Sequence, residues 1–105
     1  FSPVLAATAA ALLGVASVRM YQDSLFLKRP GNNITGWHAD LWTVPIATNH
    51  FVTVWLPLHR VDVVHAPLFY CSRDEEEAEG GDLPAPGEYG EHHCPLEEGD
   101  ATWHH

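Results

Sequence analysis

The feature that most limits what this chain can fold into is a change of character at Gly14. Residues 2–14, SPVLAATAAALLG, form one helical run, and the apolar segments after it are short, β-branched or aromatic, and divided by turns. Ser2 suits an N-cap because its hydroxyl can accept from an unpaired amide of the first turn. Pro3 suits the first helical position, where its missing N–H costs nothing. Gly14 is a natural stop. Val15 to Lys28 then reads as extended, closed by the turn cluster Arg29-Pro30-Gly31-Asn32-Asn33. Ile34 to Val44 reads as a second strand region and Pro45 to Asn49 as a loop. Phe51 to Leu58 is the clearest strand, with Pro57 marking an edge or bulge. Leu68-Phe69-Tyr70 is a further short strand. Ser72 to His93 is a polar loop, Glu98-Gly99-Asp100 a turn, and Ala101 to His105 the start of a last strand. One helix followed by many short strands predicts a mainly β chain, a sandwich or barrel. The 105 residues fit one domain: helix 1–14, core strands 15–71, an acidic Gly/Pro-rich loop 72–95, and a final core strand from 96 to 105. Both ends read as cuts through a longer protein.

Charge narrows the partners. Fourteen acidic residues against five basic give −9, which argues against nucleic acid and anionic membranes, since both require clustered Lys and Arg. Much of the acid lies in Asp74 to Glu79, a solvated run. The apolar stretch Val4 to Val15 lacks a basic leader and falls well short of the roughly 20 residues a membrane span needs. Cys71 and Cys94 have neither a disulfide framework nor zinc spacing, and a reducing cytoplasm fits them.

The chemistry-bearing segment is Gly36-Trp37-His38-Ala39-Asp40. On a strand, His38 and Asp40 share a face and Ala39 takes the other. An imidazole beside a carboxylate can fill two adjacent positions on one metal. A second histidine would complete the two-His-one-carboxylate triad that leaves three positions open on Fe(II). Alone, His-X-Asp is a weak pattern, and most such triplets are surface residues or hydrogen-bonded pairs.

The surrounding phrases strengthen it. LFLKRPG, a short Asn-rich gap, GWHAD, VPIATNHFVTVWLPL and the closing GDATWHH resemble the phytanoyl-CoA dioxygenase family of Fe(II)/2-oxoglutarate dioxygenases. SPVLAATAAALLG followed by VRMYQD resembles the helix and strand that precede the motif in that family. The likeness is poor from about Val61 to Pro95. It implies a partial double-stranded β-helix, a cupin-like jelly roll, with an N-terminal helix. It further implies that His38 and Asp40 bind Fe(II) and that Lys28 and Trp55 contact or line the 2-oxoglutarate site; Ser24, at an even spacing on the same strand face as Lys28, is a further candidate for that site. Each has a plainer alternative: Lys28 a strand-end lysine in water, Trp55 a core residue, Trp37 packing. His50, His59 and His65 read as loop or surface residues, and His92 and His93 as solvated.

In the family the second iron-binding histidine follows a first, non-ligand histidine on the strand after the Gly-Asp turn. His105 matches that first one, so the resemblance puts the third ligand after it. The rival is that His104 or His105 supplies it; on a regular strand only one of them faces inward. The implied reaction uses O2 and converts 2-oxoglutarate to succinate and CO2 while a small organic substrate is hydroxylated. Asp40 favours hydroxylation, because halogenating relatives carry a small residue there. The alternatives are a cupin-like binding module and an inactive fragment. With two ligands of three, the 105 residues alone are expected to hold iron weakly and to be inactive.

Overall fold

The computed structural model describes residues 2–71, 93 and 95–105. Along the chain they form helix α1 (Pro3–Leu12), a 3-10 turn at Asp40–Trp42, strand β1 (Thr53–Trp55), a second 3-10 turn at Val63–His65, and strand β2 (Thr102–His104).

Helix α1 starts and stops where its sequence dictates. The Ser2 hydroxyl accepts from the Leu5 amide at 3.5 Å, and Pro3 occupies the first turn. At the other end Gly14 adopts φ +64. That left-handed residue lets the Gly14 amide reach Ala11 O at 3.2 Å and the Val15 amide reach Ala10 O at 3.0 Å. The two bonds together close a Schellman cap and satisfy carbonyls that would otherwise face water unpaired.

Strands β1 and β2 form an antiparallel ribbon with Thr53 opposite His104, Val54 opposite Trp103, and Trp55 opposite Thr102. An isolated antiparallel bridge joins Val61 to Leu96 through two bonds of 2.8 and 2.9 Å. It continues the ladder's register across an interruption of equal length on the two strands. Pro57 explains one side of the interruption, because it has no N–H to donate. On the other side the chain turns: Asp100 N donates to Glu97 O, Glu97 N donates to the Asp100 carboxylate, and Gly99 takes φ +99. Val61 and Leu96 are buried, as is Ala9 of the helix.

Among the described residues the architecture is therefore one helix and a two-stranded antiparallel sheet, a smaller β content than the sequence suggests. The expected strand at 51–58 shortens to Thr53–Trp55, ahead of Pro57. Residues 15–39 contain no strand, and the region 34–44 instead ends in the 3-10 turn at Asp40. Tyr70 makes a single bridge in place of a strand at 68–70. A strand is held by its neighbour's N–H and C=O groups, and residues 15–39 pair with no strand among the described residues. Leu25 and Ile34 remain 79% and 94% exposed accordingly. The acidic run, His92 and Cys94 lie outside the described residues. None of the described helices is long and apolar enough to cross a membrane.

The helix cap has a direct test. A Cβ built on Gly14 meets nothing within 4 Å, so Gly14→Ala changes only the backbone preference. It should destabilise the fold by about 1 kcal/mol through the left-handed conformation alone. A lowered thermal midpoint in calorimetry checks this.

Candidate metal centre

The site begins with a short extended stretch. Ala39 has φ −103 and ψ 129, and the 3-10 turn starts only at Asp40. The alternation expected of a strand thus survives for the one step that matters, and His38 and Asp40 project side by side. His38 Nε2 lies 3.2 Å from Asp40 Oδ1. Behind the carboxylate, the Thr43 amide and hydroxyl both donate to Asp40 O, at 2.9 and 2.8 Å, and pin its backbone.

The His38 ring is oriented from its far side, where Nδ1 lies 2.9 Å from Gly36 O. A carbonyl oxygen only accepts, so Nδ1 carries the proton and donates. In the neutral ring Nε2 then presents its lone pair to a carboxylate oxygen, an arrangement that repels unless a proton or a cation sits between them. The spacing suits a cation. Two ligands at right angles on a metal with bonds of about 2.0–2.2 Å stand about 3 Å apart. Metal-binding histidines are commonly oriented by such a carbonyl.

A third side chain arrives from β2. His104 Nε2 lies 3.2 Å from Asp40 Oδ2, so each oxygen of the carboxylate faces its own imidazole. The His104 ring is tilted against Tyr70 with centroids 5.3 Å apart, and the Tyr70 hydroxyl hydrogen-bonds Thr102 Oγ1. Asp40 and His104 are 22% and 24% exposed and His38 is 48% exposed, so the site opens on the His38 side. Burial lowers the pKa of His104, opposed by the attraction of Asp40. Burial also raises that of Tyr70, against its bond to Thr102, and Asp40 adds to the rise. Among the described residues no three His, Cys, Asp or Glu side chains are disposed around a common metal position.

The sequence singles out His38 and Asp40, and the structure brings them together. It also brings His104, where the sequence reading leaves the third histidine after His105. The local reason is register: His104 pairs with Thr53, so it shares a ribbon face with Thr53, Trp55 and Thr102. Trp103 and His105 alternate to the other face; both, with His104, Leu12, Leu13 and Phe51, border a cleft of about 250 Å³. Trp55 is thus half-buried on the His104 face of the ribbon.

Lys28 and Ser24 are not brought to this site. The turn at Arg29–Asn32, closed by Asn32 N to Arg29 O and by Arg29 N to Asn32 Oδ1, folds the chain back. Lys28 Nζ therefore donates to Asn33 O and Thr35 Oγ1, both at 3.0 Å. Its cleft is lined by Arg29, His59 and His65, not by His38. Ser24 is exposed. His50 is exposed, His59 meets Arg60 O, and His65 pairs with Asp62 at 2.8 Å. His93 departs from its solvated reading: both ring nitrogens are buried, and the ring stacks on Phe69 at 5.3 Å.

The family model of phytanoyl-CoA dioxygenase (PhyH) matches residues 1–105, and the chain belongs to that family. At the level of the family this means an Fe(II)/2-oxoglutarate type of dioxygenase. No curated protein and no solved structure matches the chain.

The packing beside His104 can be tested through Tyr70. Tyr70→Phe removes the bond to Thr102 Oγ1 and should cost about 1 kcal/mol in urea denaturation. Because its folded pKa is raised above the ordinary 10.0, Tyr70 contributes fully to stability below that value. That contribution is lost as pH rises through the higher folded value. The wild type should accordingly lose its advantage over Tyr70→Phe only in that alkaline window.

Proposed function

We propose that this chain carries two of the three iron ligands, His38 and Asp40, of an oxygenase that hydroxylates a small organic substrate with 2-oxoglutarate as cosubstrate. The observation that supports this best is the His38 ring. Its Nδ1 donates to Gly36 O, which turns the Nε2 lone pair onto Asp40 Oδ1 at a separation suited to adjacent ligands. Fe(II) held there supplies the O2 activation that couples decarboxylation of 2-oxoglutarate to hydroxylation.

The protein's own contribution is to bind and orient. His38 and Asp40 fix two adjacent coordination positions, and the resemblance puts the third after His105. Trp55, on the ribbon face of Thr102 and His104, is the wall we assign to the cosubstrate side. Lys28 is not assigned to it, because its amine is engaged by Asn33 and Thr35. Residues 15–39, with exposed Leu25, Phe26 and Ile34, suit strands of a double-stranded β-helix in composition. We further place the protein in the cytoplasm, acting on a small molecule rather than on nucleic acid or a membrane.

The test is turnover in the full-length protein with Fe(II), ascorbate, 2-oxoglutarate and O2, read as succinate. Wild type should form succinate, and His38→Ala and Asp40→Ala should each lose on the order of 100-fold or more, since even a residue that only supports a ligand is worth 10–100-fold. Unchanged succinate formation in either variant would contradict the assignment.

A further inference from the structure

Asp40 has two oxygens and two imidazole neighbours, and the two imidazoles are not equivalent. His38 meets an acceptor at Nδ1, the Gly36 carbonyl. His104 does not: its Nδ1 is buried and has no partner among the described residues. If His104 offered a lone pair from Nε2 to a metal, its proton would have to sit on Nδ1. That would leave a buried N–H with no acceptor, which is among the rarest defects of folded proteins. With the proton on Nε2 the buried atom is a bare lone pair, the more tolerable of the two, and the 3.2 Å contact to Asp40 Oδ2 becomes a charge-assisted hydrogen bond.

We infer that His104 is a positioning residue rather than a metal ligand: its Nε2–H donates to Oδ2 of Asp40, leaving Oδ1 to share a metal with His38 Nε2. This rests on the reading of His38 and Asp40 as ligands. The placement is built in, not incidental. His104 is locked by the β1–β2 ladder opposite Thr53, and its ring leans on Tyr70, whose hydroxyl is tied to Thr102 two residues away. The two imidazoles also meet different oxygens of Asp40, and among the described residues no three such side chains are grouped to hold one metal ion. A carboxylate with one oxygen held cannot rotate or switch to a two-oxygen mode freely. His104 would therefore hold Asp40 to ligation through its one remaining oxygen.

The experiment uses the full-length protein with 15N-labelled histidine, with and without Zn(II) as a diamagnetic stand-in for Fe(II). Imidazole nitrogen shifts report which nitrogen bears hydrogen and which binds metal. His104 should keep its proton on Nε2 in both states, while His38 is protonated on Nδ1 and binds Zn(II) through Nε2. Zn(II) bound at His104 Nε2, with Nδ1 protonated, would overturn the inference. Affinity for Zn(II) gives a second readout. His104→Ala should weaken binding about 10–100-fold, and His104→Gln, whose amide can donate to Oδ2, should stay within about threefold of wild type. A Gln variant as weak as Ala, or an Ala variant that binds normally, would overturn it. Should His38→Ala bind Zn(II) as tightly as wild type, it is the reading of the metal site itself that fails.

Discussion

Residues 53–55 and 102–104 are far apart in sequence, and the antiparallel pairing between them holds the described part of the molecule together. The Val61–Leu96 bridge repeats the same register beyond Pro57 and the Glu97–Asp100 turn. Register has chemical consequences here. A shift of one residue would turn His104 away from Asp40 and bring His105 in its place, because alternate side chains take opposite faces. The contact between β2 and the His38–Asp40 segment therefore depends on which residues the ladder pairs.

Around Asp40, geometry and electrostatics agree. The Asp40 backbone carbonyl is held by Thr43, and its carboxylate is faced by two imidazoles, one per oxygen. The imidazole contacts differ in what fixes them. His38 is oriented by its own chain, through Gly36 O, and remains the more open of the two. His104 is oriented by tertiary packing, against Tyr70 and within the ladder, and burial lowers its pKa. On the proposed reading, an outward, locally fixed ligand would stand beside an inward, packing-fixed support, a division that suits a centre open to a cosubstrate on one side.

Much of this was legible in the sequence where the cause is local. Ser2, Pro3 and Gly14 bound the helix through interactions within a few residues, and Pro30 and Gly31 fix their turn in the same way. His38 and Asp40 are two residues apart, so one extended peptide unit suffices to align them. The family likeness was legible from phrases along the chain and is borne out by the match over residues 1–105. What could not be read depends on distant pairing. Val15 to Lys28 has strand-like composition, yet composition supplies no partner. Lys28 shares a pattern with a cosubstrate-binding residue, yet a turn one residue later redirects its amine to Thr35. Which of His104 and His105 faces Asp40 follows only from the register with Thr53, and the role of Tyr70 appears only once Thr102 is beside it.

Whether His38 and Asp40 hold one metal ion is tested most directly by anomalous diffraction from crystals of the full-length protein grown with Mn(II) in place of Fe(II). A single anomalous peak about 2.0–2.2 Å from both His38 Nε2 and Asp40 Oδ1 is the expected result, as for transition-metal ligands of these types. An ordered site with no peak there, and the two side chains joined by a direct hydrogen bond, would contradict it.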